Sequence, residues 1–161
     1  MEIHYFTLVH IAISLAGIAS GFGALSGWLV GKLFPRWTAW FLATTVATSA
    51  TGFFFPFHGF TPAIGVGIIS LAVLAVSLFA LYVRRLSGGW GKAFVICSVA
   101  ALYLNFFVLV VQLFQKMPAL IAIAPTQTEP AFALTQAVVL VMFIVLGITA
   151  TRRFRDGKAD V

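Results

Sequence analysis

The chain has 161 residues, of which 61% are hydrophobic and 9% are charged, and its net charge is +6. A soluble domain carries about 25% charged residues, so this composition excludes an ordinary water-soluble domain. The basic residues stand in short clusters between apolar runs, which argues against a nucleic-acid-binding face and indicates membrane topology instead. Because Cys97 is the single cysteine, an internal disulfide and a thiolate metal cage are excluded.

Five apolar runs approach the length of about 20 residues that a bilayer-crossing helix needs. They predict an all-α bundle of five transmembrane helices, forming a single transmembrane domain over 1–161, with spans at about 5–31, 37–55, 61–83, 93–115 and 131–151. The third span opens with a threonine suited to the N-cap and a proline suited to the first helical position, Thr61 and Pro62. We expect a short interfacial helix in the half-apolar connection before the fifth span.

The connection ends in Thr126-Gln-Thr-Glu129, which has the spacing of a capping box. In that motif the Thr126 oxygen accepts a hydrogen bond from the Glu129 amide, and the Glu129 carboxylate reaches back to the Thr126 backbone. The sequence therefore predicts that the fifth helix opens at Thr126.

The lysines and arginines predict an orientation. Nine of the ten follow the first, third or fifth span, and the other is Lys116. Positively charged connections are retained in the cytoplasm. We therefore predict an N-terminus outside the cell and a C-terminus in the cytoplasm.

Small residues indicate where helices approach closely, because lipid supplies no hydrophobic drive between helices. The first span carries a series of glycines, Gly17, Gly21, Gly23, Gly27 and Gly31. The preferred interpretation is packing against the second span within one chain, and the alternative is self-association through the first span.

No Asp, Glu, Lys or Arg lies inside a predicted span. Other polar side chains cluster towards the outer side of the predicted bundle. They are His10, Thr51, His58, Gln112, Gln127 and Gln136, with Asn105 on the same helix face as Gln112 but deeper, near mid-membrane. One interpretation is that these side chains join helices by hydrogen bonds. The other is a ligand pocket floored by Asn105 and rimmed by the aromatic segment 53–60. Thr51 also belongs to a stripe with Thr44 and Thr48, whose hydroxyls we expect mostly to bond carbonyls one turn back.

No catalytic constellation or metal site is evident, so we expect a non-enzymatic protein without a required cofactor. It would bind a small apolar or aromatic ligand, or a partner protein, at its outer side, and would form a homo-oligomer or join another membrane protein in the bilayer. One alternative is a b-type haem electron carrier with His10 and His58 as ligands. Another is an oligomeric channel or exporter for a small solute, suggested by the threonine stripe.

Three segments, residues 44–58, 101–112 and 124–130, resemble small bacterial polytopic inner-membrane proteins that have no assigned activity. The resemblance implies a multi-pass protein of the cell inner membrane. It transfers no functional residue, because the group it points to has no known chemistry.

Overall fold

The computed structural model of the protein describes residues 2–55 and 61–154, and in these ranges the regular structure is helical with no strand. The helices are α1 (Glu2–Leu29), α2 (Pro35–Gly52), α3 (Pro62–Leu78) continued by a π-helical segment (Phe79–Val83), α4 (Trp90–Lys116), α5 (Pro118–Ile123) and α6 (Pro130–Arg153). The all-α prediction is confirmed. Each of the five predicted spans corresponds to a helix, and α5 is the expected short helix between the last two.

Within the described residues, four helical stretches are long and apolar enough to cross a membrane: Tyr5–Leu29, Pro62–Val83, Trp90–Lys116 and Pro130–Arg153. The helix α2 does not meet this criterion, because its 18 residues include Arg36 and five threonines. Large apolar side chains on α6 are exposed in a stripe with helical spacing, Leu134, Val138, Val141 and Val145, each more than half accessible. Such a stripe is typical of a surface that meets lipid rather than water.

Consecutive long helices run antiparallel, and α4 lies at the centre of the bundle, in contact with α1, α2, α3 and α6. The pairing of α3 with α4 is marked by a hydrogen bond from the Ser98 hydroxyl to the Ser77 hydroxyl, 3.2 Å long and fully buried. The pairing of α4 with α6 brings the rings of Phe114 and Phe132 to 5.2 Å between centroids. The helix order therefore places the α1, α3 and α6 C-termini at one end of the bundle.

That end, which we call the basic end, carries seven of the eight lysines and arginines in the described ranges: Lys32, Arg36, Arg84, Arg85, Lys92, Arg152 and Arg153. The eighth, Lys116, closes α4 at the opposite end. The opposite end, which we call the His10 end, contains the start of α1, the end of α2, α5 and the start of α6. The charge asymmetry read from the sequence is thus reproduced in three dimensions.

The glycines of α1 lie against other parts of the same chain. A Cβ atom on Gly21 would be 2.5 Å from Leu102 Cδ1 of α4 and 2.9 Å from Phe41 Cδ2 of α2. On Gly23 it would meet the Trp37 ring at 2.5 Å. These close approaches let α1 contact both neighbours at backbone distance, as small residues do in membrane bundles.

Near the basic end, Gly27 and Gly31 face the turn that follows α1 and the end of α6. A Cβ atom on Gly27 would lie 2.8 Å from Phe34 Cγ, and one on Gly31 would lie 2.7 Å from the Arg153 carbonyl oxygen. Gly31 has φ of +75°, a left-handed conformation that glycine adopts without a steric cost. The chain can therefore reverse direction there while α6 ends alongside it.

The predicted start of α3 is confirmed: Thr61 is the N-cap, its Oγ1 accepts from the Ile64 amide at 3.4 Å, and Pro62 is the first helical residue. The predicted capping box is only half correct. The Glu129 carboxylate accepts from the Thr126 amide at 3.2 Å, but the Thr126 hydroxyl donates to that carboxylate instead of accepting from the Glu129 amide. The reason is that α6 begins later, with Glu129 as N-cap and Pro130 at the first helical position.

Candidate functional site

At the His10 end, α1 and α2 are joined by a side-chain hydrogen bond between His10 Nδ1 and Thr51 Oγ1, 2.8 Å long. The Thr51 hydroxyl already donates its one hydrogen to the backbone, to Ala47 O at 2.7 Å with Thr48 O at 3.2 Å. It can therefore only accept from the imidazole. It follows that neutral His10 carries its proton on Nδ1 and presents Nε2 as a hydrogen-bond acceptor.

Two aromatic rings accompany the His10 imidazole. The Phe55 ring lies edge-on to it, with centroids 5.1 Å apart, and the Phe6 ring lies 5.0 Å from Phe55. Because His10 is half-buried, Nε2 lies in a partly apolar environment at the edge of α1 and α2. This arrangement suits a ligand with an aromatic body and one hydrogen-bond donor.

About two helical turns further into the bundle, Asn105 of α4 meets α1 and α2. Its Nδ2 atom points at the Ser14 carbonyl oxygen at 3.5 Å, at the long limit of a hydrogen bond. A Cβ atom on Gly17 would lie 3.1 Å from Asn105 Nδ2 and 3.2 Å from the hydroxyl oxygens of both Thr44 and Thr45. The absence of a side chain at Gly17 therefore lets polar groups from three helices converge.

The threonine stripe connects these two polar layers. Thr44 donates to Trp40 O at 2.6 Å and Thr51 to Ala47 O, as expected for threonine in a membrane helix. Thr48 departs from this pattern, since its buried Oγ1 has no hydrogen-bond partner among the described residues. Together, His10, Thr51, Thr48, Thr45 and Asn105 form what we call the polar seam.

The three predicted glutamines lie elsewhere. Gln127 Nε2 donates to Val111 O at 3.2 Å and Gln136 Nε2 donates to Phe107 O at 3.3 Å, so both bond the α4 backbone. Gln112 is exposed on α4. The structure thus separates the predicted cluster into the seam between α1, α2 and α4, and a pair of glutamine contacts to α4.

His58 lies outside the described residues, and with it the pairing on which the haem hypothesis depends. His10 alone has the form of a haem ligand, because its Nδ1 is held by Thr51 and its Nε2 lone pair is available. The haem hypothesis requires two histidine ligands, so His10 alone does not support it. Among the described residues no group of three or more His, Cys, Asp or Glu side chains comes together.

The sequence reasoning missed several buried polar groups, among them those of Thr38, Thr45 and Trp28. Thr38 and Thr45, both 1% exposed, and Trp28, which is fully buried, have hydroxyl or indole groups without a hydrogen-bond partner in the described ranges. Thr38 and Thr45 are seven residues apart, so they form a second threonine stripe beside the predicted one. That spacing could have been found from the sequence, whereas the burial of Trp28 between Phe41 and Phe94 could not.

Comparison of the chain with known proteins gives no similarity to draw on: no protein-family model, no curated protein and no solved structure matches it.

Proposed function

We propose that the protein is a five-span integral membrane protein of a bacterial inner membrane. The four long apolar helices and the exposed apolar stripe of α6 support residence in a bilayer. A crossing by α2 is supported by its length, since 18 residues extend about 27 Å against a hydrocarbon core of about 30 Å. It is also supported by close packing of α2 against α1 from Gly23 to His10.

In this proposal the basic end faces the cytoplasm and the His10 end faces outwards. The support is the segregation of seven of eight described cations to one end of the bundle, together with the rule that positively charged connections stay inside. Self-association is kept as part of the proposal, but the α1 glycines do not support it, because they pack against α2, α4 and α6 of the same chain.

The function that the geometry supports best is non-enzymatic binding of a small aromatic or apolar ligand at the His10 end. One observation carries it: the hydrogen bond to Thr51 fixes His10 Nε2 as an acceptor beside Phe6 and Phe55. A ligand with an aromatic ring and a hydroxyl would place its ring against the phenylalanines. Its hydroxyl would donate to Nε2 in a partly desolvated setting, where hydrogen bonds are stronger than in water.

The test is a nitrogen NMR titration of protein labelled only at histidine, since the chain has just three, His4, His10 and His58. The variant His10→Phe assigns the signal of interest by removing it. Addition of 1-naphthol is expected to shift the His10 Nε2 resonance saturably, whereas naphthalene, which lacks the hydroxyl, is expected to leave the acceptor signal near its free position.

The matched control is Thr51→Val, which removes the acceptor that fixes the tautomer. It is expected to mix the two His10 tautomers and to weaken the response to 1-naphthol. A response that does not saturate, or an equal response at all three histidines, would show partitioning into detergent and contradict the His10 site.

A further inference from the structure

A groove of about 460 Å³ runs along the lipid-facing seam between α4 and α6, away from the polar seam. It is lined by two small residues, Ala100 and Gly147, and by larger, mostly apolar side chains including Tyr103, Leu140 and Phe143. A Cβ atom on Gly147 would already lie 3.3 Å from Val99 Cγ1, so a larger residue there would narrow the groove. The shape and chemistry suit a flexible hydrocarbon chain.

The length of the groove matches one leaflet. Along α6 it extends from Leu140 to Arg152, twelve residues or about 18 Å. Half of a hydrocarbon core of about 30 Å is about 15 Å. A chain entering at the basic end would therefore reach approximately the bilayer centre.

A second cavity of about 580 Å³ lies at the basic end and is lined by Leu29, Val30, Gly31, Arg152 and Arg153. Arg152 lines both cavities, which makes the apolar groove and the polar cavity neighbours. The Arg153 guanidinium donates to the Leu29 carbonyl oxygen at 3.2 Å. The two arginines thus stand where the headgroup of a lipid in the groove would lie.

Charge complementarity decides which headgroup fits. Among the residues whose side chains the structure describes, the one carboxylate, Glu129, lies at the His10 end, so none of these residues offers a carboxylate to Arg152 at the basic end. Cationic side chains at a membrane surface favour anionic lipids. Arginine also binds phosphate oxygens with a bidentate geometry.

We propose that this surface is a binding site for one anionic phospholipid, with an acyl chain in the α4–α6 groove and its phosphate at Arg152. The lipid occupies the leaflet that meets the basic end. The site is separate from the His10 site and depends on the proposed function only for its placement in a membrane.

Native mass spectrometry of the purified protein tests the proposal with two probes of identical acyl chains, palmitoyl-oleoyl phosphatidylglycerol and palmitoyl-oleoyl phosphatidylethanolamine. The wild type is expected to retain one phosphatidylglycerol in preference to phosphatidylethanolamine. Ala100→Leu fills the groove and is expected to remove the bound lipid. Arg152→Gln is expected to reduce the preference for phosphatidylglycerol by about fivefold, the contribution of one basic residue near an anionic surface.

Matched controls separate the site from general effects. Arg36→Gln makes the same charge change at the basic end but on α2, and Ala75→Leu makes the same size change on the exposed face of α3. Both are expected to retain the lipid as the wild type does. Equal losses of bound phosphatidylglycerol in Arg36→Gln and Arg152→Gln would overturn the proposal. A protein dimer that Ala100→Leu abolishes would also overturn it, because a second copy of the chain would then occupy the groove.

Folding and membrane placement are checked separately from lipid retention. Helicity by circular dichroism identifies any variant that fails to fold. If Ala100→Leu fails to fold, Arg152→Gln still tests the proposal, because Arg152 is exposed. Resistance of the wild type to alkaline carbonate extraction reports on membrane integration. A folded, membrane-integrated protein that retains no phosphatidylglycerol would overturn the lipid site and leave the His10 proposal intact.

Discussion

His10 Nδ1 and Thr51 Oγ1 lie 2.8 Å apart, and their hydrogen bond links α1 to α2 through two residues that are 41 positions apart in the chain. The same hydroxyl bonds its own helix through Ala47 O. Thr51 therefore does two things at once: it satisfies its own hydrogen and fixes the tautomer of His10. The proposed ligand site depends on this one side chain, which also supplies a side-chain hydrogen bond between α1 and α2 at the His10 end.

Replacing Thr51 by valine keeps the shape and removes the hydroxyl. We expect the free energy of unfolding to fall by about 0.6 kcal/mol, and at most about 1.7 kcal/mol, because the interhelical bond is lost. Thr149→Val is the control, since its exposed hydroxyl bonds only Val145 O of its own helix. Thr51→Ser should restore the stability. Reversible unfolding in detergent measures all three, and an equal loss in Thr149→Val would contradict an interhelical role.

Gly21 is the point where α1 lies closest to two neighbours. Gly21→Ala places a methyl group 2.5 Å from Leu102 Cδ1 and 2.9 Å from Phe41 Cδ2, both on buried side chains. We expect a loss of about 1–3 kcal/mol from overpacking, measured by the same unfolding assay. Gly52→Ala is the matched control, because its methyl would lie 3.9 Å from His10 Cε1, an ordinary contact. If both variants had the same stability as the wild type, close packing at Gly21 would not matter for folding.

Glu129 offers a pH-dependent contact outside the membrane-spanning segments. Partial desolvation raises the pKa of its carboxyl group, but hydrogen bonds from the Thr126 hydroxyl and from neighbouring backbone amides together outweigh it, so the net pKa is lowered. Since the folded pKa lies below the unfolded one, the carboxylate contacts are fully present above the ordinary glutamate pKa and are lost as pH falls through the folded value.

The measurement is the proton NMR shift of the Thr126 and Thr128 amides, both of which donate to the carboxylate, at 3.2 and 3.1 Å. Their titration midpoint should lie below that of an unperturbed glutamic acid. Glu129→Gln should remove the titration and leave the helix α6 intact. A midpoint at or above the ordinary value would show that the contacts do not form in solution.

The helices were predictable because apolar runs of about 20 residues admit few alternatives. The bounds differ by up to three residues; α4 begins at Trp90 instead of 93. The start of α3 at Thr61 was also predictable, because the cap and the proline act locally. The capping box was misplaced by three residues because Pro130 competes for the first helical position, and its fixed φ favours a helix that begins there.

The partners of the polar residues were only partly predictable. Spacing alone placed Gln136 with the outer cluster, but its side-chain amide donates to Phe107 O of α4. This mid-helix carbonyl can accept a second hydrogen bond, because it keeps a free lone pair after its own helical bond. Sequence patterns do not show which carbonyls face a neighbour. Spacing also put Asn105 and Gln112 on one face of α4, yet one is buried and the other exposed. The reason is that α1 and α2 cover α4 at Asn105, and their closest described contacts do not extend to Gln112.

Membrane threading is tested by the accessibility of single cysteines to a membrane-impermeant maleimide in intact spheroplasts. Cys97→Ser supplies a cysteine-free background, because Cys97 is the only cysteine. Lys32→Cys and Ser87→Cys place thiols at the basic end, and Ala63→Cys and Thr128→Cys place them at the His10 end. With the basic end in the cytoplasm, Ala63→Cys and Thr128→Cys should react at once, and the other two only after permeabilisation.

The pair Lys32→Cys and Ala63→Cys decides whether α2 crosses. These positions flank α2, so a crossing puts them in different compartments, despite the polar threonines that keep α2 below the hydropathy of the other spans. Thr44 and Thr51 bond carbonyls of their own helix, and the other three threonine hydroxyls of α2 are buried inside the bundle. Few polar groups of α2 are therefore left to face lipid, which lowers the free-energy cost of that crossing. Equal labelling of the two positions would mean a four-span protein. His10 and Thr51 would then lie on opposite sides of the membrane and could not form their hydrogen bond.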